Sequence, residues 1–302
     1  MENFLRMLNV QSVLFIYILV GILCQKRGLL DDHTRSKLTD LVVFVTMPCM
    51  VFESFNVQVS WETLKQASLA LVIAMVMALI ALVAGKFLYL KFPPQERCIM
   101  EYGTLVTNSG FAGLPIVSGM FGSEGLLLGS LFIIPTRILM WSAGLSLFTP
   151  TSGWEGVKKV AVHPTIIAVY LGLARMFTGF PLPGFLDSAI GSIGDCTSPL
   201  AMILVGVILA QVPLRDVVEG KIFYLVLVRQ ILFPAACLVV LKALAVDPLT
   251  IGVSVVLSGM PIGSTTAILA AKYGADARYG SKCVFISTVT SLITVPLLTL
   301  FL

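Results

Sequence analysis

Two matched stretches of sequence decide the fold of this chain. They are Ser109-Gly110-Phe111-Ala112-Gly113-Leu114-Pro115-Ile116 and Ser258-Gly259-Met260-Pro261-Ile262-Gly263. Each places glycines and a proline inside a long apolar run, where proline removes a backbone hydrogen bond and clashes with the preceding turn. Each run closes on an aromatic-Gly-x-acid turn, Phe121-Gly122-Ser123-Glu124 in the first and Tyr273-Gly274-Ala275-Asp276 in the second. The pattern predicts two membrane helices that are broken near the centre of the bilayer.

The chain is too apolar to be a soluble domain. Of its 302 residues, 57% are hydrophobic and 12% are charged, and the mean hydropathy is +0.97. Soluble domains carry about 25% charged residues, so most of this surface must face lipid. The net charge of +4 is too small to indicate a nucleic-acid partner. We therefore expect one all-α domain in the lipid bilayer, with no nucleic-acid partner and no separate soluble catalytic domain.

Apolar runs separated by polar residues or by glycine and proline predict ten transmembrane helices. The predicted spans are 7–25, 37–56, 66–90, 97–121, 125–148, 158–177, 190–211, 219–243, 248–272 and 279–302. Spans two and seven share an internal proline, and spans four and nine carry the predicted breaks. Because five spans is an odd number, the second half enters the membrane inverted. Residues 1–148 and 158–302 are thus predicted to be two inverted five-helix repeats, an arrangement typical of secondary transporters.

The positively charged residues predict the orientation. Of the 20 lysines and arginines, fourteen lie in the connections after the odd-numbered spans or at the span ends next to them, and four lie on the opposite side. Short cytoplasmic loops are enriched in lysine and arginine. We expect a multi-pass protein of the cell membrane with both termini outside the cytoplasm.

The broken helices predict an anion site. The half-helices after Pro115 and Pro261 are expected to begin with free N–H groups and a partial positive charge. In inverted halves these ends point at each other, which favours an anion between them. The alternative is a pair of proline kinks that only shape helix packing. The candidate substrate-binding residues at the breaks are Asn108, Ser109, Gly113, Pro115, Gly259, Pro261, Gly263, Ser264 and Thr265.

Two arginines fall inside predicted spans, where an unpaired charge is costly. Arg137 in span five has no acidic residue near it in the centre of the bilayer, so a substrate carboxylate is one candidate partner. The planar guanidinium of arginine suits bidentate binding of a carboxylate. The alternative is a structural pair with Glu101 or with carbonyls of the broken helices. For Arg229 in span eight we favour a structural pairing. His163, followed by a proline, is interpreted as a helix start, with a proton relay as the weaker alternative.

The sequence gives no sign of a metal, a cofactor or a catalytic site. The six cysteines are scattered, with no Cys-x-x-Cys pair, and only two histidines are present. Scattered cysteines in apolar runs are typical of buried thiols. No aspartate pair or Ser/His pair suited to catalysis within the membrane is visible. We expect no enzyme activity, no metal and no cofactor.

At these motifs the chain resembles the auxin efflux carrier family, which includes bacterial malate and malonate permease-like proteins and the plant auxin exporters. The resemblance runs nearly end to end. It includes Asn108–Gly122 with its Asn-x4-Gly-x-Pro pattern, Pro199–Ala210, and Met260–Pro296, which is similar to the last two spans of the family. Two departures are Arg137, where relatives carry a polar amide, and His163, where many carry asparagine. An arginine in span five favours a more anionic substrate than auxin.

The resemblance implies a bile-acid-symporter-like fold with broken crossover helices four and nine. It further implies a scaffold of spans 7–56 and 158–211, a transport domain of spans 66–148 and 219–302, elevator-type movement, and a homodimer formed through the scaffold. By position, Asn108, Pro115 and Pro261 match crossover residues of the family.

We therefore expect a secondary active transporter of a small organic anion, either a malate- or malonate-like carboxylate or an auxin-like monocarboxylate. A cation/proton antiporter of similar fold is one alternative. That chemistry normally uses a carboxylate at the centre of the bilayer, which spans four, five, nine and ten lack. A membrane sensor that does not transport is a second alternative, although such proteins usually carry an added signalling domain.

Overall fold

The computed structural model of the protein describes residues 2–56, 60–148, 158, 161–210 and 219–302. These residues are helical apart from short connections and one isolated antiparallel bridge. The α-helices, numbered in chain order, are α1 (Glu2–Lys26), α2 (Asp32–Leu41), α3 (Met47–Ser54), α4 (Trp61–Leu88), α5 (Pro94–Leu105), α6 (Leu114–Leu139), α7 (Pro164–Thr178), α8 (Gly184–Asp195), α9 (Thr197–Ala210), α10 (Gly220–Val226), α11 (Phe233–Ala243), α12 (Pro248–Ser258), α13 (Thr265–Lys272) and α14 (Ala277–Thr299).

Within the described residues, six helical stretches are long and apolar enough to cross a membrane. They are Leu8–Lys26, Trp61–Leu88, Ser109–Leu147, Gly184–Ala210, Gly220–Ala243 and Ala277–Thr299. Two shorter apolar helices, α7 and α12, add to them. Many of their large apolar side chains are exposed, as expected when lipid is the solvent. The expectation of an all-α, multi-pass membrane protein is confirmed.

Capping residues and glycines set where the helices begin and turn. Asp31, Ser60 and Asp247 each accept a hydrogen bond from a backbone N–H in the first turn of the helix that follows. The predicted aromatic-Gly-x-acid turns are present, since Gly122 and Gly274 have φ angles of 67° and 76°. Such angles favour glycine because it has no Cβ to clash.

Asp276, the last residue of the second turn, accepts from the Tyr279 N–H and caps α14. The first turn differs, because no side-chain cap is seen there and α6 continues past a non-helical Gly122.

Three prolines follow a widened, π-helical turn of the preceding backbone. Val42–Thr46 precedes Pro48, Ser109–Gly113 precedes Pro115, and Leu227–Leu232 precedes Pro234. A proline donates no hydrogen bond and its ring presses on the carbonyl one turn earlier, so the local helix widens. Two of these widened turns carry the polar residues that matter below, Ser109 and Arg229.

The most extensive helix contacts fall into two groups, and α1 also packs on α6 and α14 while α3 packs on α6. In the first, α1 lies along α9, and α3 packs on α7 and α8. The contact of α1 with α9 is close because Gly21 and Gly206 leave room, and a Cβ on either would lie 2.1 Å from a backbone oxygen of the other helix. In the second group, α4 and α12 pack on α6, and α13 packs on α14.

The structure corrects one detail of the sequence prediction. The first broken helix resumes at Ser109 and not after Pro115, because α5 ends at Leu105 and the π-helical turn begins at Ser109. Proline is well tolerated in the first turn of a helix, so Pro115 sits at the start of α6 without ending the helical path. Residues 149–157 between the two predicted repeats, residues 159 and 160 of predicted span six and residue 211 of predicted span seven lie outside the described residues. So does Arg215, one of the fourteen basic residues counted for orientation.

Candidate functional site

The two broken helices cross at their breaks. Val106–Asn108 separates α5 from the helix that resumes at Ser109, and Gly259–Ser264 separates α12 from α13. The Asn108 N–H donates to the Pro261 carbonyl at 2.7 Å, and the Gly263 N–H donates to the Val106 carbonyl at 3.0 Å. These bonds form the antiparallel bridge, so each break satisfies backbone groups that the other leaves free.

The helix ends that resume from the crossing carry no side-chain cap. Asn108 and Ser264 occupy the N-cap positions, and neither side chain accepts from the turn that follows. Of the other described helices that begin at connections, those after Asp31, Ser60, His163, Asp247 and Asp276 are capped by those side chains, whereas α5, α8 and α10 have no side-chain cap. Helix N-termini present N–H donors and a partial positive charge. The uncapped ends at the crossing are therefore available to an anion.

A buried polar network holds the second break in place. The Ile262 N–H donates to the Ser287 hydroxyl at 3.1 Å. The Gln230 side chain donates to the Ser287 carbonyl at 2.7 Å and accepts from Thr290 at 2.7 Å. Ser287 and Gln230 are fully buried. Because unpaired polar groups are costly at this depth, the network fixes the backbone around Ile262.

Arg137 lines a small cavity at the crossing, which we call the inner cavity. The cavity has a volume of about 70 Å³. Arg137 is half-buried, and its Nη2 lies where a Cβ on Gly110 would be only 2.6 Å away. Within the described part of the chain, no carboxylate forms an ion pair with it. The inner cavity is lined by Val106, Thr107, Asn108, Ser109, Gly110, Phe111, Ile133, Thr136, Arg137, Met140, Gly263, Ser264 and Thr265.

A larger cavity of about 590 Å³ adjoins the inner cavity, and we call it the vestibule. Asn108, Phe111 and Ser264 line both cavities, so these residues form their common boundary. The vestibule is walled by α2 and α9 on one side and by α13 and α14 on the other. The charged residues in its wall are Asp40 and the basic residues Arg35, Arg278 and Lys282, and Lys282 pairs with Glu219.

The structure brings six of the ten predicted site residues together around the inner cavity. They are Asn108, Ser109, Arg137, Gly263, Ser264 and Thr265. The other four support the crossing from outside this cavity. Gly113 faces Leu257, Pro115 is buried in the first turn of α6, Gly259 packs on Leu298, and Pro261 offers its carbonyl to Asn108.

Three further residues named from sequence have structural contacts. Arg229 donates to the carbonyl of Ser258 and stacks on Phe233, consistent with the predicted structural pairing. Glu101 is engaged by Arg97 one turn earlier, so it is not the partner of Arg137. His163 Nδ1 accepts from the Thr165 N–H at 3.3 Å, which confirms its interpretation as a helix start.

Sequence reasoning missed part of the lining. Thr136 precedes Arg137 and lines the same cavity, while Phe111 reaches the vestibule from the π-helical turn before α6 and Thr288 reaches it from α14. Arg278 and Lys282 are two of the fourteen basic residues that predict the orientation, and the sequence suggested no further role for them. Their i, i+4 spacing was the available signal, because it places both on one face of a helix.

The arrangement defines a class of protein. It is a helical, multi-pass membrane protein in which two broken helices cross and present uncapped N-termini and an arginine to an internal cavity. A family model described as "Membrane transport protein" matches residues 7–159 and 155–299, so the chain belongs to this family of auxin efflux carrier-like transporters. The resemblance noted from sequence is thereby confirmed, as is the expectation that the protein is not an enzyme.

Individual relatives match over nearly the whole chain. An "Uncharacterized transporter" of Methanothermobacter thermautotrophicus is 28% identical over 297 residues, covering 96% of each chain. One of Methanocaldococcus jannaschii is 26% identical over 303 residues, covering 96% of this chain and 97% of its own. A "Putative malonate transporter" of Rhizobium meliloti is 25% identical over 281 residues, covering 85% of this chain and 84% of its own.

Proposed function

We propose that the protein is a secondary active transporter of a small organic anion, most simply a malonate- or malate-like carboxylate. The observation that carries the proposal is the inner cavity, where two uncapped helix N-termini and Arg137 converge without an acidic partner among the described residues. Such a site needs an anion to balance it. The name of the Rhizobium meliloti relative agrees with a dicarboxylate.

The binding mode follows from which groups face the inner cavity. One substrate carboxylate lies between Arg137 and the N–H groups that begin the two half-helices, with hydroxyls of Ser109, Thr136 and Thr265 around it. A guanidinium matches the two oxygens of a carboxylate. The rest of the substrate extends past Asn108 into the vestibule, whose basic wall residues attract an anion from the water on that side.

Ten spans in two inverted repeats form the membrane architecture in this proposal. Ser109–Leu147 has 39 residues and would be about 58 Å long as one straight helix, nearly twice the hydrocarbon thickness. The non-helical Gly122 therefore marks the boundary between two passes. Supporting inversion, both halves show a broken helix followed by a glycine with positive φ and a further long helix.

Movement is proposed to occur between the two packing groups. The group of α1–α3 and α7–α9 is the scaffold, and the remaining helices form the transport domain. The vestibule supports this division, because its walls come from α2 and α9 on one side and from α13 and α14 on the other. Sliding of the second group carries the inner cavity across the membrane, as in an elevator, and the basic connections face the cytoplasm.

Uptake into proteoliposomes tests the proposal. Labelled malonate, malate, succinate and an aromatic monocarboxylate are presented to the wild-type protein, and we expect at least one to accumulate above empty vesicles. Arg137→Gln is expected to lower uptake about tenfold to hundredfold, because a charge-assisted hydrogen bond contributes about 1.5–3 kcal/mol.

The matched control is Lys65→Gln, which removes a positive charge from an exposed position in α4 and should leave uptake unchanged. Wild-type vesicles that accumulate none of the carboxylates would refute the proposed substrate class. Normal uptake by Arg137→Gln would remove Arg137 from the site.

A further inference from the structure

Arg229 is buried beside the crossing, on the π-helical turn Leu227–Leu232. It is 6% exposed. Its Nη1 donates to the carbonyl of Ser258, the last residue of α12, and its Cζ lies 5.7 Å from the centre of the Phe233 ring. Its Nε–H is buried and has no hydrogen-bond partner among the residues that the structure describes. The guanidinium is therefore only partly satisfied by the protein.

A cavity of about 20 Å³ adjoins this guanidinium, large enough for one water. Besides Arg229 it is lined by Leu105, the last residue of α5, and by Ser258. Thr107 and Thr136 line both this cavity and the inner cavity, and we call this shared boundary the hydroxyl layer. Arg229 thus lies where both broken helices end, on the other side of that layer from Arg137.

Helix C-termini carry a partial negative charge, and two of them meet at this point. In carriers with discontinuous helices, such ends and the unwound carbonyls beside them coordinate the coupling Na⁺ or H⁺. Here a guanidinium already donates to one of these carbonyls. None of the described residues that line the small cavity is acidic, so the helix ends are the negative groups that Arg229 faces.

We propose that Arg229 is a tethered cation, which neutralises the C-terminal ends of α5 and α12 in the position that a mobile sodium ion would otherwise take. The inference rests on the proposed function and concerns its coupling, since a carrier built this way binds and moves its anion without sodium at the crossing. Arg229 is a positioning residue. It lies on the side of the hydroxyl layer away from the substrate carboxylate.

Cation replacement tests the consequence in the wild-type protein. Uptake of the transported carboxylate is measured with Na⁺, K⁺ or N-methylglucamine as the only cation, and we expect equal rates within about twofold. A tenfold or larger requirement for Na⁺ would overturn the tethered-cation proposal while leaving the carrier function intact. Absence of carboxylate uptake in every buffer would refute the proposed function instead.

Thermal unfolding tests the tethered cation without any substrate. Arg229→Ala should lower the Tm, and millimolar methylguanidinium or Na⁺ should raise it again by filling the vacated position, whereas neither ion changes the Tm of the wild type. Arg229→Lys is the matched variant, because it keeps the charge and should need no added cation. It also serves if Arg229→Ala does not fold.

Two results would assign Arg229 a packing role and overturn the proposal. One is a loss of Tm in Arg229→Ala that no cation restores, together with an equal loss in Arg229→Lys. The other is an Arg229→Ala protein with unchanged Tm and unchanged uptake.

Discussion

Gly110→Ala changes the position of one guanidinium while keeping every charged group of the inner cavity. A Cβ at position 110 would lie 2.6 Å from Nη2 of Arg137 and 3.8 Å from its Cζ. The contacted atom is the far end of a flexible side chain, so the arginine moves and the backbone stays in place. We expect a selective loss of substrate affinity with little change in stability.

The magnitude follows from the displacement. Ordinary contact begins at about 3.5 Å, so the guanidinium must withdraw by roughly 0.9 Å. A charge-assisted hydrogen bond of about 2.8 Å then stretches to about 3.7 Å and is lost. The loss of about 1.5–3 kcal/mol corresponds to a dissociation constant about tenfold to hundredfold higher. The alanine itself favours the helical turn by about 0.5–1 kcal/mol over glycine, which offsets small strain.

Calorimetric titration of the transported carboxylate into purified protein measures this effect, with thermal unfolding of the same samples as the stability check. The matched control is Gly191→Ala, because a Cβ at Gly191 meets nothing within 4 Å. A Gly110→Ala protein that binds the carboxylate as tightly as the wild type would show that the position of Arg137 does not matter, and would refute the binding mode.

Two further substitutions test the packing that positions the site. Gly206→Ala places a Cβ 2.1 Å from the Ile18 carbonyl, which is backbone and cannot move aside. We therefore expect α1 to separate from α9, with a loss of about 1–3 kcal/mol in the free energy of unfolding. A Tm equal to that of Gly191→Ala would contradict the close contact. Ser287→Ala removes the acceptor of the Ile262 N–H and should cost about 1–3 kcal/mol, seen as a lower Tm. Ser287→Thr, which keeps a hydroxyl, is its control, and equal Tm values for the alanine and threonine variants would argue against the network.

Local sequence signals predicted that the two helices are broken, but they predicted the exact position of the first break less well. Glycine and proline show where a helix weakens, but Pro115 lies in a first turn that tolerates it, and the true break is at Val106–Asn108. The backbone leaves the helix there because Asn108 and Gly263 bond to the opposite break. That partner is far away in sequence, so no local pattern could place the break to the residue.

The candidate site was predictable to a similar degree. Asn108, Ser264 and Arg137 stood out because polar or charged groups inside an apolar span are costly and usually have a structural or functional role. Thr136 and Phe111 did not stand out, since their types are unremarkable in a membrane helix. Only the helix rotation that aims a side chain into a cavity separates them from their neighbours.

The sequence by itself determined that the chain lies in a membrane, where its helices run, and that two of them are broken. Those properties depend on hydrophobicity and on backbone groups that proline and glycine leave unsatisfied, and both are local. Only the tertiary structure decided that the two breaks form hydrogen bonds with each other and that Arg229 donates to the Ser258 carbonyl. It also decided that Glu101 pairs with Arg97 while Arg137 faces a cavity. These pairings depend on which distant groups compete for each charge, and that competition is settled by packing.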